Sequence, residues 1–458
     1  MNFGHIKNIH FVGIGGIGMS GIAEILSNYD LAISGCDAKA SPVTDRLRKL
    51  GIRVEIGHDP AHVEGVDLIV VSSAIKGTNV EAVAAREARV PVIRRAEMLG
   101  EITRLKSGIA IAGTHGKTTT SAMTALVLAE AGLDPTLIVG GVLRNFASNA
   151  KLGHGEYLVV EADEYDRSFL SLHPTISVIT NIEADHLDCY RDLDDIRSTF
   201  AAFARLVPFY GAVIGCSDDP DVAALLEALP KRSVRYGLGE SAELRATNLE
   251  FSGNSATFEV TRNGERLGSV SLATPGAHNV RNALAAIGVA LEVGIEFETA
   301  AAALAQFTGV ERRFQLLGEF DGTLVVDDYA HHPTEVRATL EAARRSYPER
   351  RIVALFQPHL FSRTRDFAED FAAALELADL GFVTPIYPAR EEPIEGVTSH
   401  LITDAAQLRG ASHVTPIDQE LSGVLEHVRG VLRKGDLFVT MGAGDVNRVG
   451  ESLAGVAS

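Results

Sequence analysis

Short apolar runs alternate with helical stretches along almost the whole chain, and this alternation limits the possible folds more than any other feature. NIHFVGI (8–14) has the character of a buried strand, and GMSGIAEILSN (18–28) that of a helix. The same alternation begins again at IAIAG and once more at TLVVDD. Apolar strands joined by helices are typical of parallel sheets. We therefore predict a three-domain α/β fold, with a Rossmann-like domain at 1–106, a central P-loop ATPase domain at 107–312 and a second Rossmann-like domain at 313–458.

Charge and cysteine content narrow the class of protein. The 458 residues include 42 Lys and Arg against 60 Asp and Glu, a formal charge of −18, and this balance argues against binding to nucleic acid. Cys36, Cys189 and Cys216 are far apart and odd in number, which fits a reducing compartment. No apolar run is long enough to span a membrane, and the N-terminus lacks the basic region of a signal peptide. We expect a cytoplasmic protein without membrane insertion.

A glycine-rich turn follows the first strand. Residues 13–18 read GIGGIG, which matches the dinucleotide fingerprint G-x-G-x-x-G between a strand and a helix. Glycines at these positions let backbone N–H groups approach a diphosphate at the start of a helix. Asp37 ends the next predicted strand, where a ribose hydroxyl could be bound. The motif is compatible with NAD, with any other ribose-linked diphosphate, or with a tight turn that binds no ligand.

A second phosphate-binding turn opens the central segment. After the strand IAIAG the chain reads Gly113, Thr114, His115, Gly116, Lys117, Thr118 and Thr119, and a helical pattern follows. The spacing departs from the strict P-loop, because residue 111 is Ile rather than Gly. The working parts are nevertheless present: backbone amides for phosphates, a lysine for the β- and γ-phosphates, and a hydroxyl for Mg²⁺. We expect this turn to bind ATP.

Carboxylates and a histidine follow the next two predicted strands. Glu161 ends the run LVVE, and its oxygens are ligands suited to Mg²⁺, although a solvated acidic loop is the alternative. ISVITNIEADH (176–186) is predicted as a strand that ends at His186. A lone histidine is usually structural, but its position one strand from Glu161 favours a role in the site.

The remaining candidates lie in the last part of the chain. Asn279 and Asn282 open a helix, where they could bind a purine edge or merely cap the helix. Arg313 lies at a predicted domain border, where an interdomain ion pair is the alternative role. His331 and His359 occupy loops at two successive strand ends, and Arg363 follows the second loop, so together they could bind a carboxylate.

Taken in order, these motifs resemble the Mur ligase family over nearly the whole chain. The resemblance is carried by GTHGKTTT, EADEYDRSF, TNIEADHLD, PGAHNVRNALAA, ERRFQ, DDYAHHPTE and FQPHLFSRTRD. VGIGGIGMSG, FQPHLFSRTRD and IYPAREEPIEGV are similar to the members that add L-alanine. The resemblance implies ATP-dependent ligation of L-alanine to the lactyl carboxylate of UDP-N-acetylmuramate through an acyl phosphate, with Mg²⁺, by a monomer or weak homodimer in peptidoglycan precursor synthesis.

The resemblance also implies a role for each candidate residue. Thr118, Glu161 and His186 would bind Mg²⁺, and Lys117, His186 and His331 would take part in catalysis. ATP would contact the turn at 113–119 together with Asn279, Asn282 and Arg313. The UDP part would lie at Gly15, Gly16, Ile17, Gly18, Asp37, Ser72 and Ser73. L-Alanine would be bound by His331, His359 and Arg363.

Two departures from the family pattern concern details of the site. No lysine occurs between Lys151 and Lys231, so the modified lysine that several relatives carry after the Asp-His motif is missing. Leu360 occupies a position where many relatives that add L-alanine have a basic residue. Three alternatives stay open: a recycling ligase that adds a tripeptide to the same sugar nucleotide, an NAD-dependent oxidoreductase, and a nucleotide-binding protein without catalysis.

Overall fold

The computed structural model describes residues 3–456, apart from residues 73, 147, 188 and 390 and the side chain of Ile17. The chain forms two compact units. The first comprises Met1–Thr247, Glu259–Val270 and Arg281–Leu304, and the second comprises Asn248–Phe258, Ser271–Val280 and Ala305–Ser458. Three β-sheets follow one another along the chain. They confirm the predicted α/β class with three successive sheets; the exact domain boundaries stay a prediction.

The first sheet has five parallel strands in the order β3-β2-β1-β4-β5. Its strands are β1 (Asn8–Val12), β2 (Ala32–Asp37), β3 (Arg53–Ile56), β4 (Leu68–Val71) and β5 (Val92–Arg94). The helices between them are α1 (Ile17–Ser27), α2 (Pro42–Lys49), the 3₁₀ helix η1 (Pro60–Val63), α3 (Val80–Glu87) and α4 (Arg95–Thr103). Chain order reverses on either side of β1, and ligands of open parallel sheets bind at such a switch point.

The second sheet has ten strands in the order β15-β14-β13-β12-β11-β10-β6-β9-β7-β8. Its strands are β6 (Ser107–Ala112), β7 (Thr136–Leu143), β8 (Ser148–Lys151), β9 (Tyr157–Glu161), β10 (Ile176–Ile179), β11 (Ala212–Cys216), β12 (Ser233–Gly237), β13 (Leu244–Ser252), β14 (Ser255–Arg262) and β15 (Glu265–Leu272). The helices are α5 (Lys117–Glu130), η2 (Tyr165–Ser171), α6 (Leu193–Leu206), α7 (Pro220–Ala228), α8 (Ala277–Glu292) and α9 (Phe297–Ala305).

Helix α5 runs through the middle of this part of the fold. Every residue from 118 to 128 is buried, which is unusual for a helix that contains several Thr and Ser residues. A helix that is covered on all sides belongs to the core of a large unit. One continuous hydrophobic cluster joins apolar side chains of the first sheet, such as Phe11, to those of the second, such as Val160 and Phe200. The first two sheets therefore share a core within the first unit.

The third sheet has six strands in the order β16-β17-β21-β18-β19-β20, of which β16 alone is antiparallel to its neighbour. The strands are β16 (Gln315–Phe320), β17 (Thr323–Asp328), β18 (Ile352–Phe356), β19 (Leu380–Val383), β20 (Val414–Pro416) and β21 (Leu437–Met441). The helices are α10 (Pro333–Ser346), α11 (Phe361–Asp366), α12 (Ala368–Leu375), α13 (His400–Leu408), α14 (Leu421–Val431) and α15 (Asn447–Ala454).

Candidate functional site

The turn between β6 and α5 has the geometry of a phosphate-binding loop. Gly113 and Gly116 have φ of +136° and +83°, in the region that favours glycine. A Cβ atom on Gly113 would lie 1.9 Å from Thr180 Oγ1, so only glycine fits there. Helix α5 begins at Lys117 without a side-chain cap, which leaves its first backbone N–H groups directed towards the turn. Such a helix start favours an anion.

The strand predicted over 176–186 is shorter than expected. β10 ends at Ile179, and the residues that follow form a loop. The reason lies in their polar side chains, which bond to the phosphate loop and thus leave the sheet. Asn181 accepts the backbone N–H of His115 through Oδ1 at 2.8 Å, and the Thr180 hydroxyl donates to the His115 carbonyl at 2.6 Å. This bracing segment was not recognised from the sequence.

Lys117 is bound on several sides. Its Nζ donates to the carbonyl oxygens of Gly113 at 2.7 Å and Thr114 at 3.1 Å, and to both oxygens of Glu164 at 2.8 and 3.0 Å. Burial alone would lower the pKa of Lys117, but the negative charge of Glu164 and its acidic neighbours outweighs burial and holds that pKa above its usual value. Lys117 is therefore charged at neutral pH. Glu164 belongs to the acidic run that follows β9 in the sequence, but its pairing with Lys117 was not predicted.

Glu164 itself is an unusual carboxyl group. It is buried, and burial raises its pKa to about 7, although Lys117 opposes this shift. His186 Nε2 lies 3.8 Å from Glu164 Oε1 and 3.7 Å from Asp185 Oδ2. His186 has φ of +54°, a strained conformation for a non-glycine residue that is frequent at functional sites. Glu164 bonds to Lys117 and also lies near His186, so it connects His186 with the phosphate loop.

Thr118 and Glu161 form the second contact between the loop and a neighbouring strand end. The Thr118 hydroxyl donates to the two carboxylate oxygens of Glu161 at 3.1 and 3.0 Å. The Gly140 N–H donates to Glu161 Oε2 at 2.7 Å. A Cβ on Gly140 would lie 3.1 Å from the same oxygen, so the absent side chain permits the close approach. Nothing in the sequence around Gly140 pointed to this contact.

Of two further predicted residues, Asn282 packs against α5 and Thr119 lies within it. Asn282 Oδ1 accepts the hydroxyl of Thr120 at 3.1 Å, and a Cβ on Gly116 would lie 2.7 Å from the same oxygen. Asn282 therefore lies next to the phosphate loop, and its contact with ATP stays a prediction. Thr119 is buried within the first turn of α5.

The first glycine-rich turn joins β1 to α1. The backbone N–H groups of Gly13 and Ile14 both donate to the carbonyl of Cys36 at 2.9 Å, and the Gly15 N–H donates to Asp37 Oδ2 at 2.9 Å. Asp37 thereby fixes the conformation of the turn. Gly16 is the N-cap of α1, which puts the backbone of residues 16–18 at a helix start.

The first glycine turn lines a cavity of about 280 Å³ in the first unit, and Glu161, which accepts the hydroxyl of Thr118, lines it as well. From the first sheet and its helices the lining residues are Gly16, Gly18, Met19, Ser72, Arg95 and Leu99, and from the second they are Ile138, Val139, Gly140, Glu161 and Asp163. Arg95 Nη1 lies 3.0 Å from the position of a Cβ on Gly18, so a cation stands beside the first turn. Ser72 follows β4, whereas Ser73 lies outside the described residues. Arg95 was not predicted.

In the second unit, the two predicted histidines come together at neighbouring loops. His331 follows β17 and His359 follows β18, and their ring centroids are 5.9 Å apart. His331 Nδ1 lies 3.1 Å from Glu335 Oε2, and the ring of Tyr387 stacks on that of His359. A negative partner and an aromatic neighbour thus contact the two imidazoles in the loops after β17 and β18, two strands that flank β21 in the sheet.

Arg363 and Arg313 are the two cations predicted for this unit. Arg363 lies in α11 and is only 6% exposed. Leu360, at the N-cap of α11, has φ of +73° and bonds through its N–H to the Tyr387 carbonyl. Arg313 lies 3.5 Å from Glu335 and over the ring of Tyr329, so it pairs within its own unit.

Asn279, also in the second unit, belongs to the first turn of α8. Its Nδ2 donates to the carbonyl of Pro275 at 2.7 Å, and Asn279 is 6% exposed. This contact is a local one within the turn that opens the helix.

Among the described residues, no helix is both long and apolar enough to cross a membrane.

Comparison with known proteins agrees with this geometry over the full length of the chain. Residues 8–107 match the Mur ligase family catalytic domain, residues 111–290 the Mur ligase middle domain, and residues 312–444 the Mur ligase glutamate ligase domain. The UDP-N-acetylmuramate–L-alanine ligase of Geobacter sp. strain M21 is 50% identical over 451 residues, which is 98% of each chain.

Solved structures give the same result. The UDP-N-acetylmuramate-alanine ligase of Thermotoga maritima superposes with a TM-score of 0.80 at 31% identity and 98% coverage of both chains. A murein peptide ligase of Psychrobacter arcticus superposes with a TM-score of 0.70 at 28% identity and the same coverage. The three matched domains, their order and the identity to full-length relatives lead to one conclusion: the chain is a member of the Mur ligase family.

Proposed function

We propose that this protein is an ATP-dependent ligase that joins L-alanine to the lactyl carboxylate of UDP-N-acetylmuramate. The observation that carries the proposal is the cavity lined by the glycine turn of the first sheet and by Glu161, whose carboxylate accepts the hydroxyl of Thr118 in the ATP loop. A nucleotide-linked acceptor and ATP need such adjacent anchoring points. Relatives of about 50% identity bear the name of this activity.

The chemistry explains why ATP is needed. A free carboxylate is a poor acyl donor, because its leaving group would be oxide. Transfer of the γ-phosphoryl group to the lactyl carboxylate gives an acyl phosphate and ADP. The amine of L-alanine then attacks the acyl carbon, and the tetrahedral adduct collapses to the amide and inorganic phosphate. The first step depends mainly on positioning and on neutralising charge.

We assign the ATP phosphates to the turn at 113–119. The backbone N–H groups at the start of α5 would bind phosphate oxygens. Lys117 would exchange its contact with Glu164 for the β- and γ-phosphates, since both compete for the same ammonium group. Asn282, at the other side of Gly116, would contact the nucleotide. Asn279 and Arg313 are assigned to ATP on the family pattern.

The donor atoms at Thr118 and Glu161 fit Mg²⁺. A hydroxyl within 3.1 Å of both carboxylate oxygens is a cluster of hard oxygen ligands, which Mg²⁺ prefers. We assign a second Mg²⁺ to His186. The ions would supply positive charge that offsets the charge developing on the transferred phosphoryl group. Gly140 keeps Glu161 oriented for this role through its N–H.

For the UDP part we assign the first glycine turn with Gly15, Gly16, Ile17 and Gly18, together with Asp37 and the loop at residues 72 and 73. Arg95 joins this assignment, because its guanidinium lies beside Gly18 and lines the same cavity. A guanidinium binds a diphosphate through charge-assisted hydrogen bonds. The acidic chain as a whole makes such a local cation necessary.

L-Alanine would be bound by His331, His359 and Arg363, with Arg363 as the partner of its carboxylate. The supporting observation is that the two imidazoles adjoin one another at successive strand ends of the third sheet. His331, whose ring lies 3.1 Å from Glu335, is the assigned catalytic residue of this group. We further propose a cytoplasmic monomer or weak homodimer that binds neither nucleic acid nor membrane; the buried thiols of Cys36 and Cys216 fit a reducing compartment.

The test is release of phosphate from ATP with each substrate omitted in turn. We expect release that requires Mg²⁺, UDP-N-acetylmuramate and L-alanine together. Release that is unchanged without the sugar nucleotide would exclude the proposed reaction. A tripeptide offered in place of L-alanine should give little release, whereas efficient use of the tripeptide would identify the recycling ligase instead.

A further inference from the structure

A second cluster of ligating side chains lies under the first glycine turn, away from the proposed reaction centre. It consists of His10 on β1, Cys36 on β2, His62 on η1 and Glu81 in the first turn of α3. One ligand atom from each of the four lies within 4.8 Å of the others. His10, Cys36 and Glu81 are buried, and His62 is partly exposed. Two strands of the first sheet and two of the helices that connect its strands thus converge on one point.

Glu81 is the centre of this cluster. Its side chain is fully buried, and its carboxylate accepts the thiol of Cys36 at 2.9 Å and lies 2.6 Å from His62 Nδ1. The backbone N–H of Asp59 also donates to it at 3.2 Å. A buried carboxylate is costly unless it is paired with positive charge or hydrogen bonds. Here the partners are a thiol and an imidazole, which are themselves metal ligands.

Hydrogen bonds account for only one of the two ring nitrogens of His10. Its Nδ1 is fixed by the hydroxyl of Ser34 at 2.9 Å. Its Nε2 is buried without a hydrogen-bond partner in the described part of the chain and lies 4.0 Å from Glu81 Oε2. Metal-bound histidines commonly have their second ring nitrogen fixed in this way. A buried nitrogen that faces a carboxylate and a thiol is positioned as a ligand.

The four side chains offer nitrogen, sulfur and oxygen donors, all of which Zn²⁺ accepts. The two imidazole nitrogens and the thiolate sulfur suit Zn²⁺ better than Mg²⁺ or Ca²⁺, which prefer oxygen ligands. A thiolate and a carboxylate would balance the two charges of the ion. The partly exposed His58 lies 3.3 Å from the Cys36 sulfur and 3.5 Å from Glu81 Oε2, on the border of the cluster.

We propose that His10, Cys36, His62 and Glu81 bind one Zn²⁺ ion that fixes η1 and α3 to the sheet beneath the nucleotide-binding turn. On binding, the Cys36 thiol loses its proton to solvent, and the sulfur exchanges its hydrogen bond to Glu81 for the metal. The carbonyl of the same Cys36 accepts the N–H groups of Gly13 and Ile14. The ion would therefore stabilise the turn without touching the substrate.

The experiment uses the full-length protein, treated with a chelator and then titrated with Co²⁺ in the absence of ATP and Mg²⁺. Cobalt bound to a thiolate gives a charge-transfer band in the near ultraviolet, which the oxygen ligands at Glu161 cannot produce. We expect a band that saturates at one ion per chain and disappears when Zn²⁺ is added. Metal analysis of the untreated protein should give one zinc per chain.

Variants locate the site. Cys36→Ser should abolish the band, and His62→Ala should weaken Co²⁺ binding at least about tenfold, because one ligand of four is lost. Cys216→Ser is the matched control, since Cys216 is also a buried thiol of the first unit but lies outside the cluster. It should keep the full band.

Three results would overturn the proposal. The first is a wild-type protein that shows no thiolate–cobalt band, and the second is a band that persists in Cys36→Ser. The third is Co²⁺ binding that occurs only at millimolar concentration with no weakening in His62→Ala. His62 is partly exposed, so this variant keeps the test decisive if Cys36→Ser fails to fold.

Discussion

At the scale of the residue, the ATP loop is held in place by an ion pair before any nucleotide is bound. Lys117 donates to two carbonyl groups of its own loop and to Glu164, and Glu164 in turn lies near His186. The three side chains come from a helix start and two strand ends, so the pair joins the loop to the sheet. A phosphate that takes over Lys117 would leave Glu164 buried without its partner.

Glu164 should therefore titrate far above the usual range of glutamates. With ¹³C-labelled glutamate, we expect one carboxyl resonance with a midpoint near pH 7, because burial raises the pKa of Glu164 to about 7. The same pKa in the unfolded chain is close to 4.5. The contribution of this group to stability is thus full below about pH 4.5 and is lost as the pH rises through 7.

Glu164→Gln is the control for this titration. The resonance near pH 7 should be missing from the variant, while the remaining glutamates titrate as before. If all glutamates of the wild-type protein titrated below about pH 5.5, burial would not outweigh the charge of Lys117 at Glu164, and the expected titration would be wrong.

Lys117→Ala should abolish most of the turnover. We expect kcat/KM for ATP to fall by at least about 100-fold, since a buried cation that neutralises phosphoryl charge is lost. The measurement is phosphate release at varied ATP concentration, with UDP-N-acetylmuramate and L-alanine saturating. Lys151→Ala is the matched control: Lys151 also pairs with a carboxylate, Asp134 at 3.3 Å, but both side chains are about two-fifths exposed, so little should change. A turnover that is equally reduced in both variants would contradict the assignment.

At the scale of the element, the sequence could predict where several site residues lie, because they follow the ends of parallel strands. Glu161 ends β9, and the loop that contains His186 follows β10; both strands pair with β6, which leads into the phosphate loop. Because these ends meet at one edge of the sheet, their proximity followed from the pattern of strands alone. The family resemblance added roles but was not needed for this proximity.

What could not be predicted depends on neighbours that are known only in three dimensions. Gly140 belongs to β7, which precedes β9 in the chain and adjoins it in the sheet, and it acts through its backbone N–H and its missing side chain. Arg95 begins α4 like many surface arginines, and only the packing of α4 places it at the cavity. The segment after Ile179 alternates like a strand, but its side chains bond to the phosphate loop instead.

Gly140→Ala tests the contact between β7 and the proposed Mg²⁺ ligand. The added Cβ would lie 3.1 and 3.2 Å from the Glu161 carboxylate oxygens, so Glu161 must turn away from Thr118. We expect the Mg²⁺ concentration for half-maximal phosphate release to rise about tenfold, equivalent to about 1.4 kcal/mol. The fold should persist, because Gly140 is exposed.

The control for this variant is Gly430→Ala. Gly430 lies in α14, and an added Cβ there would meet nothing within 4 Å. Its Mg²⁺ dependence should equal that of the wild-type protein. An unchanged dependence in Gly140→Ala as well would show that Glu161 is not held by β7 in the way described.

At the scale of the whole molecule, the proposed nucleotide contacts are divided unevenly between the compact units. Both glycine turns belong to the first unit, as does the cavity lined by the first turn and Glu161, and the two sheets of this unit have a common hydrophobic core. His331, His359 and Arg363 belong to the second unit. The first unit therefore contains separate anchoring points for two different phosphate compounds. A single substitution should weaken binding of one compound without affecting the other.

Gly15→Ala should selectively weaken binding of the UDP substrate. Its Cβ would lie 2.8 Å from Asp37 Oδ2, so it must displace the carboxylate that fixes the first turn. We expect the affinity for UDP-N-acetylmuramate, measured by calorimetry, to fall at least about tenfold while ADP binding stays within about twofold. Lys117→Ala should instead weaken ADP binding and leave the affinity for UDP-N-acetylmuramate nearly unchanged. Equal losses of both ligands in either variant would contradict two separate anchoring points.

The burial of residues 118–128 in α5 has a consequence for inhibition of the enzyme. A compound that bound the backbone N–H groups at the start of this helix would use contacts that no side-chain replacement removes. Replacements farther along the helix would disrupt close packing, because residues 118–128 are all buried. Escape from such a compound through substitutions in α5 would carry a loss of folding stability, and resistance would have to arise in the surrounding loops instead.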